Sequence, residues 1–404
     1  HFLGQFHPDV NPDADALAQA AGFENGLAVI KAYFGNSDWT DTPTPLLNSP
    51  ERVANLPADV MPSLESHITV SDTTEGRHYV ANPYFHIVDT QGNQLPYISE
   101  QDEIYANDNE IRILKLINAE ADYKSQSLQL PSAPLLLEHQ ESGDYTVDLR
   151  PEITIATVSF NVTHENLEKR KVFGDLRFRQ AMSIALNRDE INEVGFLGQG
   201  VPKQYVGFSP SPSFVDPKWE SYMIQYDPAA ANALLDEMGM KDIDGDGMRE
   251  LPNGEKLILN LQFSTQGVAG EVIELVGQHW SEVGIQSTVK EVTPDEYRGS
   301  QSSNKLDVGS WRKSQPLAIV LGNNELWVPP FENYFGHRTG MLWAEYVDSD
   351  GASGVKPPAY VTQLMDDVNA LQSTLVGTAE SDALGARMVE NMVSNLLFIG
   401  LVQA

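Results

Sequence analysis

The chain has 404 residues, which is more than one compact core usually holds and indicates two or three domains. Acidic residues outnumber basic ones by 57 to 26, for a formal net charge of −31. A surface this negative repels phosphate backbones, so we expect a soluble monomer with no nucleic-acid partner. The absence of cysteine excludes disulfides, thiolate metal sites and cysteine nucleophiles.

The two ends of the chain suggest a piece of a longer protein. The chain begins at His1 without a methionine, carries no visible signal peptide, and ends at Ala404 directly after an apolar run. We therefore expect both ends to be cut from something longer. The longest apolar runs, Leu317–Leu321 and Leu396–Val402, have the length of strands or buried segments and are far shorter than a membrane span.

Hydrophobic periodicity predicts the elements of the first half. Asp13–Tyr33 has a helical period, and Tyr79–Ile98 has strand-like stretches punctuated by turns. Ile111–Ile117 is apolar and fits a strand or a short helix. Ile153–Phe160 alternates as a strand, and Leu176–Leu186 has the spacing of a helix.

The helix at Tyr226–Met238 has the best-marked ends. Asp227 is a suitable N-cap, Pro228 suits the first helical position, and Gly239 suits the C-terminal cap.

A strand, a helix and a second strand follow at Leu257–Phe263, Glu271–Val283 and Ile285–Val292. This spacing predicts a parallel βαβ unit, and such sheets bind ligands beyond the carboxyl ends of their strands. Thr293-Pro294 starts another helix. The last predicted elements are helices near Gln363–Leu371 and Ala383–Leu397.

Motifs for catalysis are missing from the sequence. There is no phosphate-binding loop, no nucleophile elbow and no zinc-protease motif, and the nine histidines are scattered. The carboxylates are too numerous for a glycosidase pair to be identified or excluded. We therefore predict that the chain is not an enzyme, and a secreted glycan hydrolase with paired carboxylates is the alternative.

The segment Asp242–Gly247 is the one local motif with metal chemistry. Asp242, Asp244 and Asp246 alternate before a glycine, which places several hard oxygens on one turn and suits Ca²⁺. The place of the bidentate glutamate of an EF-hand is taken by Asn253. A polar turn without an ion and a calcium site both remain open, and we expect no other cofactor. A calcium-stabilised adhesion module would also need internal repeats, which the sequence lacks.

Several segments together resemble extracellular solute-binding protein family 5, the peptide/nickel-type receptors of bacterial ABC importers. The resemblance covers most of the chain. It lies in Phe2–Pro8, Ala81–Tyr84, Gly92–Tyr97, Phe160–Asn161, Arg177–Ile191, Tyr226–Gly239 and Asp244–Gly247.

The resemblance implies an α/β, two-lobed periplasmic-binding-protein-like fold (type II, cluster C-like), with mixed sheets and flanking helices. It assigns residues 1–157 to the latter part of lobe one, 158–395 to lobe two, and 396–404 to the start of the return to lobe one. It also implies an oligopeptide or oligosaccharide ligand between the lobes, ABC permease subunits as partners, and a periplasmic or lipid-anchored location.

The candidate ligand-binding residues follow from the resemblance and from the aromatic side chains that a closing cleft must provide. Trp311 follows a strand-like Leu306–Ser310 and is similar to the cleft tryptophan of the family. The peptide binders of the family carry an acid shortly after it, whereas this chain has Arg312-Lys313-Ser314-Gln315, which weighs against a free peptide. Arg312 is itself a candidate, because an arginine suits a carboxylate or the hydroxyls of a sugar beside a stacking ring. The other candidates are Trp327, Tyr334, Asp122, Tyr123 and Gln126.

Overall fold

The computed structural model describes residues 6–20, 22–34, 64–106, 108–125, 128–150, 154–264, 267–314, 316–322 and 339–404. Contacts divide the chain into two compact units. Unit 1 comprises His1–Lys124 and His139–Tyr145, and unit 2 comprises Ser125–Glu138 and Thr146–Ala404. The lobe boundaries predicted at residues 157 and 395 stay predictions.

Unit 1 contains short helices and a small sheet. The helices are α1 (Ala14–Ala20), α2 (Gly26–Phe34) and α3 (Asn109–Ile117). The strands β1 (His67–Asp72), β2 (Gly76–Ala81) and β3 (Glu100–Ile104) form an antiparallel sheet in that order.

Two expectations for unit 1 are settled by the structure. The single helix predicted over Asp13–Tyr33 is wrong. The structure has two helices there, α1 and α2, and Gly22 between them has a φ of +81°, which is not a helical conformation. The Ile111–Ile117 segment is a helix, and the Asp108 side chain caps it by accepting from the backbone N–H groups of Glu110 and Ile111.

Unit 2 contains a six-stranded mixed sheet. Its strands lie in the order β5, β9, β4, β8, β6, β7. They are β4 (Ile155–Phe160), β5 (Val201–Pro202), β6 (Ile258–Phe263), β7 (Gln286–Glu291), β8 (Val308–Lys313) and β9 (Ile399–Gln403).

Unit 2 also contains a series of helices. They are α4 (Ala133–His139), whose last residue belongs to unit 1, α5 (Leu167–Gly174), α6 (Leu176–Ile184), α7 (Arg188–Phe196), α8 (Pro228–Glu237), α9 (Gly270–Glu282), α10 (Pro294–Ser302), α11 (Leu317–Gly322), α12 (Met341–Asp348), α13 (Ala359–Gln372) and α14 (Ala379–Ser394). In the described part of the chain, every helix is too short or too polar to cross a membrane.

The predicted parallel unit is confirmed, since β6 pairs with β7 in parallel through α9. Leu259, Leu261 and Phe263 of β6 are buried, as the alternating pattern predicts. The predicted caps of α8 are also confirmed: the Asp227 side chain accepts from the Ala230 N–H, and Gly239 has a φ of +77°.

Two apolar segments of unit 2 differ from expectation. All six residues of β4 are buried, where alternation predicted one buried face, because β4 lies between β8 and β9 and both faces are covered. The Leu317–Leu321 run, which has strand length, forms the helix α11.

The core of unit 2 centres on the aromatic ring of Phe160. It stacks on Trp280 at 5.3 Å between centroids and contacts Phe173 and Phe178. The Trp280 indole N–H donates to the carbonyl of Met182 at 2.9 Å, so the largest buried ring also satisfies its polar atom.

Two buried arginines of the Arg177–Ile191 segment hold the C-terminal part of the chain. The Arg179 guanidinium donates to the carbonyls of Phe173 and Asn395 at 2.6 and 2.9 Å. Arg188 donates to the carbonyls of Ser183, Ile224 and Gly400. The family-like motif therefore has a structural role, which is to satisfy backbone carbonyls between segments far apart in sequence.

Candidate ligand-binding site

The carboxyl ends of the parallel strands β6, β7 and β8 share one edge of the unit 2 sheet. Trp311 lies near the end of β8 at this edge. The prediction that the strand ends at Ser310 is wrong: β8 continues to Lys313, because Ile155–Phe160 pairs with it over its whole length. The residue is therefore held by backbone pairing opposite Thr157, whose hydroxyl donates to the Trp311 carbonyl at 2.9 Å.

The Trp311 ring is half-buried and packs on α10. It stacks on Tyr297, with ring centroids 5.8 Å apart and an interplanar angle of 29°. It also borders a small cluster of Val292, Tyr297 and Leu306. Trp311 thus contributes to the core while the residue as a whole remains partly exposed, and a fixed stacking platform needs both properties.

Tyr297 was not identified from the sequence, although it supports the site. It is fully buried, and its hydroxyl donates to the Ser310 carbonyl at 2.9 Å and accepts from the Ser310 N–H at 2.8 Å. The hydroxyl thereby provides hydrogen-bond partners for both backbone polar groups of Ser310 on β8. Burial raises the pKa of Tyr297 well above its ordinary value, so the phenol stays protonated and can donate.

Ser314 follows β8 and combines burial with an uncommon backbone conformation. It is 2% exposed and has a φ of +146°, a region that side chains rarely adopt. Its hydroxyl oxygen is buried without a hydrogen-bond partner in the described structure. A buried hydroxyl in this state costs free energy unless a ligand satisfies it, and strained residues of this kind cluster at binding sites.

The remaining predicted ligand residues are spread over the chain. Arg312 is half-buried and pairs with Ala156 in the sheet, next to Trp311. Asp122 and Tyr123 are exposed residues of unit 1. The predictions for Gln126, Trp327 and Tyr334 lie outside the described residues. The ligand-binding roles of all these residues stay predictions.

The Asp242–Gly247 turn folds around its own carboxylates. Asp242 accepts from the N–H groups of Gly245 and Gly247 at 2.7 and 3.0 Å. The Lys256 ammonium lies 2.8 Å from an Asp244 oxygen and 2.9 Å from an Asp246 oxygen. The hydrogen bonds that Lys256 donates to these two carboxylates raise its pKa, so the cation stays protonated.

This ammonium competes with any metal ion for two of the three carboxylates. The three aspartates present oxygens within 4.8 Å of one another, and all three are exposed. The donor chemistry suits Ca²⁺, but Lys256 already supplies a positive charge to two of the three carboxylates. The turn therefore has a sufficient structural explanation, and calcium binding stays a prediction.

Replacing Lys256 with glutamine is expected to increase calcium affinity over that of the wild type, because it removes a competing cation from the carboxylates. Isothermal titration of both proteins with millimolar calcium measures this. If neither the wild type nor Lys256→Gln releases or absorbs heat on titration with calcium, the calcium hypothesis is wrong. Replacing Lys290, an exposed lysine that pairs with Glu296, controls for the change in net charge.

The buried carboxylates of the described chain serve the fold. Asp307 accepts from Lys169 at 2.7 Å, Asp367 accepts from Arg387 at 2.7 Å, and Glu250 accepts from the Ile243 N–H at 2.7 Å. Each therefore has a stabilising partner of its own, and none of these contacts favours the glycan hydrolase alternative.

Comparison with known proteins places the chain in a family. Residues 69–317, more than half of the chain, match the middle region of bacterial extracellular solute-binding proteins, family 5. The match includes Trp311 and both strands and the helix of the parallel unit. The resemblance seen in the sequence is thereby confirmed.

One known relative and two solved structures illustrate the similarity. A periplasmic α-galactoside-binding protein of Rhizobium meliloti (strain 1021) is 25% identical over 310 residues, which are 71% of this chain and 42% of the relative. An oligopeptide-binding protein, OppA, is 27% identical with a TM-score of 0.56, and the match covers 100% of this chain and 63% of that one. A periplasmic binding protein of Agrobacterium fabrum C58, in complex with stachyose, is 20% identical with a TM-score of 0.68, covering 85% of this chain and 52% of that one.

The solved structures confirm the predicted α/β periplasmic-binding-protein fold. This chain spans less than half the length of the α-galactoside-binding relative and under two thirds of the oligopeptide-binding one. From the matched residues and the fold together, the chain belongs to the bacterial extracellular solute-binding proteins of family 5.

Proposed function

We propose that this protein is the extracytoplasmic receptor of an ABC importer, that it binds a neutral oligosaccharide, and that it delivers this ligand to the permease subunits without chemical change. Family membership over residues 69–317 carries the receptor part of the proposal. The α-galactoside-binding relative, with 25% identity over 310 residues, supports a saccharide.

The side chains at the end of β8 support a neutral ligand. Trp311 offers an aromatic surface on which a sugar ring can stack, and Ser314 offers a buried hydroxyl that needs a partner. The sequence from Arg312 to Gln315 contains no carboxylate that would bind an ammonium group. An arginine beside a stacking ring can donate to sugar hydroxyls through its planar fork.

An oligopeptide is the second candidate. The similarity to the oligopeptide-binding protein OppA, at 27% identity over the whole chain, favours it. The missing carboxylate disfavours a peptide held by its free amino terminus, because an ammonium group buried without a counter-charge is unfavourable. The two candidates therefore differ in the expected effect of a new acid: Ser314→Asp should weaken saccharide binding and strengthen peptide binding.

Replacing Trp311 with alanine is expected to weaken binding of a saccharide such as stachyose by about 10- to 100-fold, because stacked aromatic side chains are typical centres of binding energy. Isothermal titration of the full-length protein measures the dissociation constant. Trp311→Phe should recover part of the affinity, since it restores an aromatic face.

The matched control is Trp219→Phe. Trp219 is also half-buried beside an aromatic partner, Tyr222 at 5.6 Å, but it lies in another hydrophobic cluster of unit 2. We expect it to leave the dissociation constant unchanged. Equal affinity of the wild type and Trp311→Ala would contradict the proposed site.

A further inference from the structure

Gly267 lies against the ring of Trp311. A Cβ atom built on Gly267 would be 2.3 Å from Cε3, 2.6 Å from Cζ3 and 2.8 Å from Cδ2 of Trp311. These are three consecutive atoms of the ring system at similar distances, so the position is against the flat of the indole and not at its rim. Carbon atoms in van der Waals contact are about 3.5–4.0 Å apart, so any side chain at residue 267 collides with the ring.

The collision is the reason for a glycine at this position. Gly267 has no positive φ, so its backbone conformation would also suit alanine. Its N–H donates to the Ser264 carbonyl at 2.8 Å, a bond that does not depend on the absence of a side chain. The space taken by the Trp311 ring is therefore what excludes a larger residue.

The backbone that follows Gly267 has little freedom to yield. Val268 and Ala269, which follow it, are 2% and 6% exposed and belong to the main core of unit 2, and α9 begins at Gly270. Close-packed cores resist displacement. The half-buried ring of Trp311 is freer to move, although Tyr297 supports it by stacking.

We infer that Gly267 is a positioning residue for the ligand site: its bare backbone and the Tyr297 ring fix the orientation of Trp311 before a ligand arrives. This inference rests on the proposed role of Trp311 in ligand binding. A methyl group at residue 267 moves the ring away from its supported position, so the surface presented to the sugar changes although Trp311 itself is retained.

A double-mutant cycle tests the contact without any ligand. Gly267→Ala is expected to lower the melting temperature by about 4 °C in the wild type, as overpacking does, and by less than about 1 °C in a Trp311→Ala background where the ring is gone. The control Gly299→Ala adds a methyl group that meets nothing within 4 Å, and it should not lower the melting temperature. Equal losses for Gly267→Ala in both backgrounds would overturn the inference.

Titration with stachyose then tests the consequence for binding. We expect Gly267→Ala to raise the dissociation constant about 10-fold, in the direction of Trp311→Ala, and Gly299→Ala to leave it unchanged. If Trp311→Ala weakens binding and Gly267→Ala does not, the positioning role is wrong and the proposed function stands. If neither variant weakens binding, the proposed site itself is wrong.

Discussion

Replacing Arg188 with alanine is expected to lower the free energy of unfolding by about 3–5 kcal/mol. The side chain is 2% exposed, and its guanidinium donates to the Gly400, Ser183 and Ile224 carbonyls at 2.9, 2.9 and 3.1 Å. It also donates to the Ser183 hydroxyl at 2.9 Å. Alanine leaves these buried acceptors without a donor and adds a cavity. Chemical denaturation followed by circular dichroism measures the loss.

The charge of Arg188 has no carboxylate among these contacts, so its hydrogen bonds must offset the cost of burial. Burial lowers the pKa of Arg188 to about 9, which leaves it protonated at neutral pH. Arg188→Lys keeps the charge but loses the planar fork, so it should recover less than half of the lost stability. Arg177→Ala removes an exposed arginine of the neighbouring helix α6 and should change the stability very little. A similar loss for Arg177→Ala and Arg188→Ala would contradict this explanation.

Asp307→Asn is the second substitution with a large expected effect, about 2–4 kcal/mol of lost stability at pH 7. Asp307 is 3% exposed and accepts from Lys169 at 2.7 Å and from the Asn260 N–H at 2.8 Å. It also lies 3.2 Å from Nε2 of His164. Because Nδ1 of His164 accepts from the Asn166 N–H, the proton is on Nε2, which donates to Asp307. Asparagine cannot balance the partly buried ammonium of Lys169.

The pH dependence separates this ion-pair network from simple packing. Burial on its own raises the pKa of Asp307, but hydrogen bonds from His164 and Lys169 and the Lys169 charge outweigh it and hold the pKa below the ordinary value. Since the folded-state pKa is lowered, the stabilisation is present above the unfolded pKa of about 4 and is lost as the pH falls through the folded value. The difference in melting temperature between the wild type and Asp307→Asn should therefore shrink below about pH 4.

The matched control for Asp307 is Asp295→Asn. Asp295 is a carboxylate whose side chain is 94% exposed, beside Arg298 at 3.5 Å, and such pairs contribute little. We expect almost no change in melting temperature at any pH. A gap between the wild type and Asp307→Asn that stays constant from pH 7 to pH 3 would mean that packing, and not charge, explains the loss.

Local signals predicted the elements that carry strong patterns. The parallel unit from β6 to β7 follows from alternation, helical period and length, and each is a property of neighbouring residues. The ends of α8 follow from Asp227 and Gly239, whose preferences are set by backbone chemistry. The family motif around Arg179 and Arg188 predicted the fold without revealing that both arginines hold carbonyls across the core.

Contacts between distant residues could not be predicted from the sequence. Lys256 forms ion pairs with the Asp244 and Asp246 carboxylates although no spacing rule connects them. Trp311 was identified as a site residue, but its supports are Gly267, from the segment between β6 and α9, and Tyr297, from α10, and they meet it only in the folded chain. A glycine required by a neighbouring ring has the same sequence signal as a glycine in a turn.

The most direct test of the central claim is the melting temperature of the full-length protein with neutral oligosaccharides, stachyose among them, and with oligopeptides. A ligand that binds the folded state alone adds about 2.7 kcal/mol of stability at a hundredfold excess over its dissociation constant. We predict a clear rise with a saccharide, abolished in Trp311→Ala, and none with free peptides. A rise with peptides alone would contradict the saccharide assignment, and no rise with any member of either class would contradict the receptor function.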